Sequence, residues 1–382
     1  MNKELTFGRL LAAVFLLQMA LSTQRTVFSN FVVDDLGITA DQLGWVEAVR
    51  EIPGLLTIVL VMSMVLLAPT VLAGISTLFV SAGLLLYAAT TNMPSLLLAT
   101  TVYSIGFHLF FPLQSAMCLS LSQPHERGKR LGQVAGTIAA GTVFAALIVR
   151  VFADILTYRQ ILTYAAVFSV LACAVFWGTS VRGVRKLSRG IVYRAAYMPY
   201  YALRFLAGAR RQIFVTFAAF ALVSLYDTSL AAMSTLYLVC NGINILLKPR
   251  LGQVVDVWGE RKALTFNYVL VTVTFLGYAL WQNQYALFAL FVVDSSLSGF
   301  DVALNTLLAK LAPSDDIAPS LAMGSTLEHV TGFLAPVLGG YLWVRFAPQA
   351  TFLAGATLCV ISLIMALRLR TDAPVVAPYV TG

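Results

Sequence analysis

Residues 41–64 read DQLGWVEAVREIPGLLTIVLVMSM. A helix needs ~20 predominantly apolar residues to cross a bilayer, and this stretch has that length and character. Yet Glu47, Arg50 and Glu51 lie within it. Their spacings of three and four put all three on one helix face. Counted from Asp41, the helical rise carries Arg50 and Glu51 ~14 Å deep, near the bilayer middle. A charge at that depth costs at least a few kcal/mol, so it faces a protein interior or a watery cavity and takes a partner. A carboxylate held by an arginine there can bind a proton when the pairing changes. Pro53-Gly54 follows directly and bends the helix or frees a carbonyl.

The same pattern recurs along the chain. Arg25, Arg210, Arg211, Asp294, Asp301 and Glu328 also fall inside apolar stretches. The 382 residues are 59% hydrophobic and only 11% charged, with a mean hydropathy of +0.84. That excludes a soluble globule, which carries roughly 25% charged residues. Hydrophobic segments fall at roughly 8–31, 41–64, 69–90, 94–121, 131–154, 158–180, 200–224, 229–248, 263–282, 284–309, 319–344 and 348–368. The expected fold is an all-α polytopic membrane protein with twelve transmembrane helices. A cleavable leader is not expected, because Gln18, Gln24 and Arg25 interrupt the first segment.

The net charge of +8 comes from bases in short connections, where they set topology and do not call for nucleic acid. One side collects Arg127, Lys129, Arg130, Lys248, Arg250, Arg261 and Lys262, among others. The other holds little more than Arg159 and Arg345. Both termini are therefore expected in the cytoplasm, and Asp34, Asp35, Asp41 and Asp227 outside. The longest interruption, 181–199, carries Arg182, Arg185, Lys186, Arg189 and Arg194 without an acid. It suggests two six-helix pseudo-repeat halves, 1–180 and 200–382, joined by a basic cytoplasmic linker that can also bind anionic lipid headgroups. Thr23-Gln24-Arg25-Thr26-Val27-Phe28 and Ala209-Arg210-Arg211-Gln212-Ile213-Phe214 are counterparts in such a repeat, and Asn241 in span 8 lies at a depth similar to Arg50. Repeats of this kind place the substrate near the midplane.

Asp294, Ser298, Asp301 and Asn305 form a polar stripe at spacings of four, three and four. Gly299 in that stripe would admit another chain. Ser325, Glu328 and Gly332 share a face of span 11, next to His329. His329 and His108 can hold protons. Arg210 and Arg211 point ~100° apart on a helix, so one can face a cavity and the other an acid such as Asp294. Cys118, Cys173, Cys240 and Cys359 show no disulfide or metal-ligand spacing, and no His-x3-His pair exists, so neither metal nor cofactor is expected. Walker, GxSxG and HExxH sequences are absent, and the chain is not expected to be an enzyme.

Gly252-Gln253-Val254-Val255-Asp256-Val257-Trp258-Gly259-Glu260-Arg261-Lys262 resembles the loop signature of the major facilitator superfamily. With twelve spans and a central basic linker, the resemblance covers nearly the whole chain. It implies a loop between spans 8 and 9 carrying Gly252, Asp256, Gly259 and Arg261, where Gly252 allows close helix approach, Asp256 can cap or pair with a neighbouring helix end, and Arg261 and Lys262 stay on the cytoplasmic face. The first copy of the signature is missing: Leu66-Leu67-Ala68-Pro69-Thr70-Val71 has no Gly, Asp or base. Arg50-Glu51-Ile52-Pro53-Gly54, Gly106-Phe107-His108 and Asp315-Asp316-Ile317-Ala318-Pro319 are similar to a bacterial subgroup of permeases within that superfamily.

The resemblance implies a secondary transporter of the bacterial inner membrane, working by alternating access of two halves about a midplane site. Its expected partners are a small-molecule substrate, polar, anionic or amphiphilic, with protons as the coupling ion and membrane lipids around a monomer. The rival is a transport-inactive scaffold or sensor with the same fold, whose inward charges form closed pairs.

Overall fold

A computed structural model describes residues 3–56, 67–177 and 194–369. Twelve helical rods follow one another among the described residues. Rod α1 is Lys3–Asn30, continued by a π-helical turn at Phe31–Asp35. Next come α2 (Ala40–Leu55), α3 (Pro69–Ala89), α4 (Met93–Leu121), α5 (Arg127–Phe152) and α6 (Tyr158–Trp177). Rod α7 starts as Met198–Ile213, passes a second π turn at Phe214–Ala218 and ends as Ala219–Tyr226. Then follow α8 (Leu230–Trp258) and α9 (Glu260–Leu280). Rod α10 runs as Gln284–Leu297, a 3-10 turn at Ser298–Asp301, and Val302–Leu311. The last two are α11 (Ser314–Phe346) and α12 (Pro348–Leu367).

Ten of these rods are long and apolar enough to cross a membrane. The other two are α2, whose continuation lies outside the described residues, and α11, which spans 33 residues with Glu328 and His329 at its middle. The chain is a multi-pass membrane protein. Of the basic linker, Arg182, Arg185, Lys186 and Arg189 lie outside the described residues.

The contacts divide the chain into two compact units. One gathers Met1–Thr39, Val49–Lys186 and Asp227–Asn241. In it α3 packs on α4 and α6, and α1 on α5 and α6. Lipid tails compete with apolar side chains as well as protein does, so small residues and hydroxyls hold such helices together. Ser76 Oγ donates to the Gly106 carbonyl at 2.7 Å, and Ser169 Oγ to the Thr77 carbonyl at 2.7 Å. At one end Arg159 acts as a staple. Its Nη1 donates to the carbonyls of Ala88 (2.9 Å) and Thr90 (2.7 Å), and its Nε to Asp35 at 3.1 Å. These carbonyls close α3, where helix ends leave acceptors orphaned. Arg159→Ala should cost roughly 1–3 kcal/mol, the range for bonds to a charged donor at a half-buried site. The melting midpoint of the detergent-solubilised protein should drop by several degrees. An unchanged midpoint would show that water replaces the staple.

The other unit gathers Ala40–Ala48, Leu187–Tyr226 and Gly242–Gly382. Here α7 packs on α11 and α12, and α9 on α12. Phe217, Phe275 and Phe352 are fully buried among these rods. Two ion pairs tie helix ends together. Arg194 meets the buried Asp316 at 2.6 Å, and Tyr197 Oη donates to the same carboxylate at 2.8 Å. Lys310 at the end of α10 meets the buried Glu260 at 2.8 Å.

The expected loop after span 8 is corrected. Residues 252–258 continue α8 as helix, and the turn is confined to Gly259, whose φ of +75° favours glycine. Valines 254, 255 and 257 are helical despite Pro249 upstream, and of the three only Val255 is buried. Among the described residues nothing lies within 4 Å of a Cβ added at Gly252, so the expected close helix approach is not found there. Asp256 and Arg261 are exposed, and neither makes an ion pair or hydrogen bond among the described residues. The acid that fastens this corner is Glu260.

Candidate functional site

In the second unit, α7 carries Arg204 and Arg211 seven residues apart, two turns along one face. Both reach Glu328 on α11. Arg204 Nη1 donates to Oε1 at 2.9 Å and Arg211 Nη2 to Oε2 at 3.0 Å. One carboxylate is thus shared by two guanidinium groups. Arg204 is further fixed by Asn305 on α10, whose Oδ1 accepts from its Nη2, and by Tyr200 Oη at 3.3 Å from its Nε. The rods can come this close because of Gly208 between the two arginines. A Cβ there would stand 3.3 Å from Glu328 Cα and 2.5 Å from Thr331 Oγ1.

Arg210, one residue before Arg211, turns the other way and meets Asp294 on α10 at 2.8 Å. The two side chains are only 5% and 2% exposed. Arg210 Nε and Asp294 Oδ2 have no hydrogen-bond partner among the described residues, so a single bond joins two enclosed charges. By contrast the Arg211 and Glu328 side chains are 40% and 20% exposed. The same stretch of α7 therefore makes one sealed pair and one open pair.

The expected polar stripe on span 10 is not one α-helical face. A 3-10 turn at Ser298–Asp301 interrupts it. Asp294 is sealed against Arg210, while Asn305 is bonded to Arg204. Asp301 is half-buried and makes no hydrogen bond among the described residues. Gly299 faces side chains of α8, Leu251 and Lys248, not a neighbouring backbone. His329 is half-buried beside Glu328 in the sequence, and Glu47 is buried.

In the first unit, Arg50 Nη2 lies 3.3 Å from Glu51 Oε1. Glu51 Oε2 lies 4.0 Å from His108 Nε2 on α4. His108 Nδ1 faces Ser104 Oγ at 2.9 Å, and that hydroxyl donates to the Arg50 carbonyl. Pro53 lacks an N–H and loosens this turn of α2, where Ser104 supplies a donor from the neighbouring rod. The result is a chain of polar groups from Arg50 through Glu51 and His108 to Ser104. Asn241 donates to the Tyr237 carbonyl within its own helix at 2.8 Å. Arg25 stands apart. Its neighbours Thr23, Gln24 and Thr26 are buried, whereas Arg25 is exposed and has no ion pair or hydrogen bond among the described residues. The expectation that each inward charge takes a partner is corrected at this position.

Two participants escaped the sequence reading. Arg204 sits one turn inside the start of span 7, where a base reads as an interfacial anchor. Its seven-residue distance to Arg211 was the available signal. Ser104 carried none beyond its four-residue distance to His108.

The sequence profile of the Major Facilitator Superfamily matches residues 10–318 and again 200–381. An uncharacterized MFS-type transporter of Methanocaldococcus jannaschii is 30% identical over 132 residues, which is 33% of this chain and 32% of that protein. The aligned region thus spans about a third of that relative's length. Among solved structures, a point mutant of the nucleoside transporter NupG superposes with a TM-score of 0.82 at 14% identity, covering 96% of this chain and 99% of the other. A bacterial homolog of the human lysosomal transporter Spinster, in an inward-facing and occupied conformation, gives 0.77 at 12% identity over 95% and 96%. At these identities the likeness is one of fold.

Proposed function

The chain belongs to the major facilitator superfamily of membrane transporters, and we propose that it is a proton-coupled secondary transporter of a small polar or anionic solute. It would expose its binding groups to each side of the membrane in turn. The observation that carries this reading is Arg25. A guanidinium that is exposed and unbonded, in the apolar rod Glu4–Asp35, cannot face hydrocarbon without a cost of several kcal/mol. It faces water, and water at that depth is a permeation pathway. The Arg50–Glu51–His108 chain supports proton coupling, because it joins a carboxylate and an imidazole inside the first unit. The excess of bases on one set of connections supports a plasma-membrane orientation with both termini cytoplasmic.

The test is chemical access to position 25. Cys118, Cys173, Cys240 and Cys359 are all buried, and a variant without them would carry Arg25→Cys. A membrane-impermeant maleimide should label it in right-side-out and in inverted vesicles. Labelling from one side only would favour the scaffold or sensor reading. Labelling by lipid-permeable reagents alone would remove the aqueous pathway altogether.

A further inference from the structure

We propose that the transported solute carries a carboxylate, and that it binds by replacing the Glu328 carboxylate between Arg204 and Arg211. This rests on the transporter reading above and deepens it to a substrate class. Two guanidinium groups each giving one N–H to one carboxylate oxygen form a carboxylate receptor. In this structure the receptor holds a carboxylate of the chain itself. Its two arginines are not equivalent. Arg204 spends its three nitrogens on Glu328, Asn305 and Tyr200, and so forms a fixed wall. Arg211 spends one bond on Glu328 and is 40% exposed. Its remaining donors make no hydrogen bond among the described residues and can meet an incoming anion.

Comparison with the neighbouring pair shows why Glu328 can yield. Arg210–Asp294 is sealed from any solute, at 5% and 2% exposure. Arg211–Glu328 is reachable, and each of its bonds is one that an external carboxylate can reproduce. Exchange therefore leaves the arginines as well satisfied as before. The displaced Glu328 carboxylate is already 20% exposed and can turn to water.

Other groups can modulate this step. Tyr200 lies on α7 beside Arg204, Asp301 on α10 one turn from Asn305, and His329 next to Glu328 on α11. Rod α12 brings only the buried Cys359, and the Ala40–Ala48 segment brings Asp41 and the buried Glu47. None of these bridges the two arginines in place of Glu328.

The experiment is calorimetric titration of the full-length protein in detergent. The probes are acetate, lactate, benzoate and succinate, each paired with its neutral amide. Wild type should bind at least one carboxylate and none of the amides. Glu328→Gln should bind the same carboxylate at least ten-fold tighter, because the resident competitor is gone. The wild-type comparison of each carboxylate with its amide stands by itself if that variant fails to fold. Amides binding as well as carboxylates, no carboxylate binding, or a folded Glu328→Gln variant that binds no tighter would each overturn the proposal. These outcomes leave the access test at position 25 untouched, so the two readings fail separately.

Discussion

Asp294→Ala is expected to be the most destabilising single substitution among the intramembrane charges. It removes the one side chain that pairs with Arg210 among the described residues, and Arg210 is only 5% exposed. Breaking a buried pair from one side leaves an uncompensated charge and costs roughly 3–5 kcal/mol. The purified variant should melt far below wild type or fail to leave the membrane as a monodisperse species. Adding Arg210→Met to Asp294→Ala should recover most of the loss, because an apolar pair needs no desolvation. The single and double variants thus separate a structural pair from a transport residue. If Asp294→Ala melts like wild type, Arg210 has another counter-charge and the pair does not hold α7 to α10.

Glu51→Gln is expected to abolish concentrative transport while leaving exchange of solute at equal concentrations intact. The carboxylate lies between Arg50 at 3.3 Å and His108 at 4.0 Å, so its proton occupancy depends on how those partners move. The amide keeps the shape and can still hydrogen-bond, but cannot carry a proton through a cycle. In proteoliposomes with an imposed pH gradient, accumulation should fall by at least ten-fold, a change on the order of 1.4 kcal/mol in driving force. Counterflow should remain near wild type. Gradient-driven accumulation that survives Glu51→Gln would remove this residue from the coupling path.

The rods were legible because hydrocarbon thickness sets their length and loops carry the bases. Each expected span has a helical counterpart, although the second is described only as far as Leu56. What sequence could not resolve was local backbone choice. Pro249 and Gly252 look like helix breakers, yet only Gly259 has a backbone conformation that ends α8. The interruption at Ser298–Asp301 was equally hidden, since a 3-10 turn keeps the same polar residues in nearly the same order. The charge pairs were legible to different degrees. Asp294 and Arg210 both stand deep in apolar sequence, where a charge needs a counter-charge. Arg204 lies near a span end, where a long side chain can reach water, so nothing local demanded a partner. Ser104 was invisible because hydroxyls in membrane helices usually bond their own backbone.

The lone guanidinium of α1 also has an electrical meaning. When a sealed pair such as Arg210–Asp294 moves across a membrane, its opposite charges move together and the field does almost no work on it. Arg25 has no such companion among the described residues. Any displacement of α1 along the membrane normal carries its charge through the transmembrane field. A full crossing is worth ~2.3 kcal/mol at 100 mV, and a quarter of the distance ~0.6 kcal/mol. Even the smaller figure biases a two-state equilibrium nearly three-fold. If α1 shifts in this way during a transport cycle, membrane voltage would act on the chain through Arg25, whether or not the solute is charged.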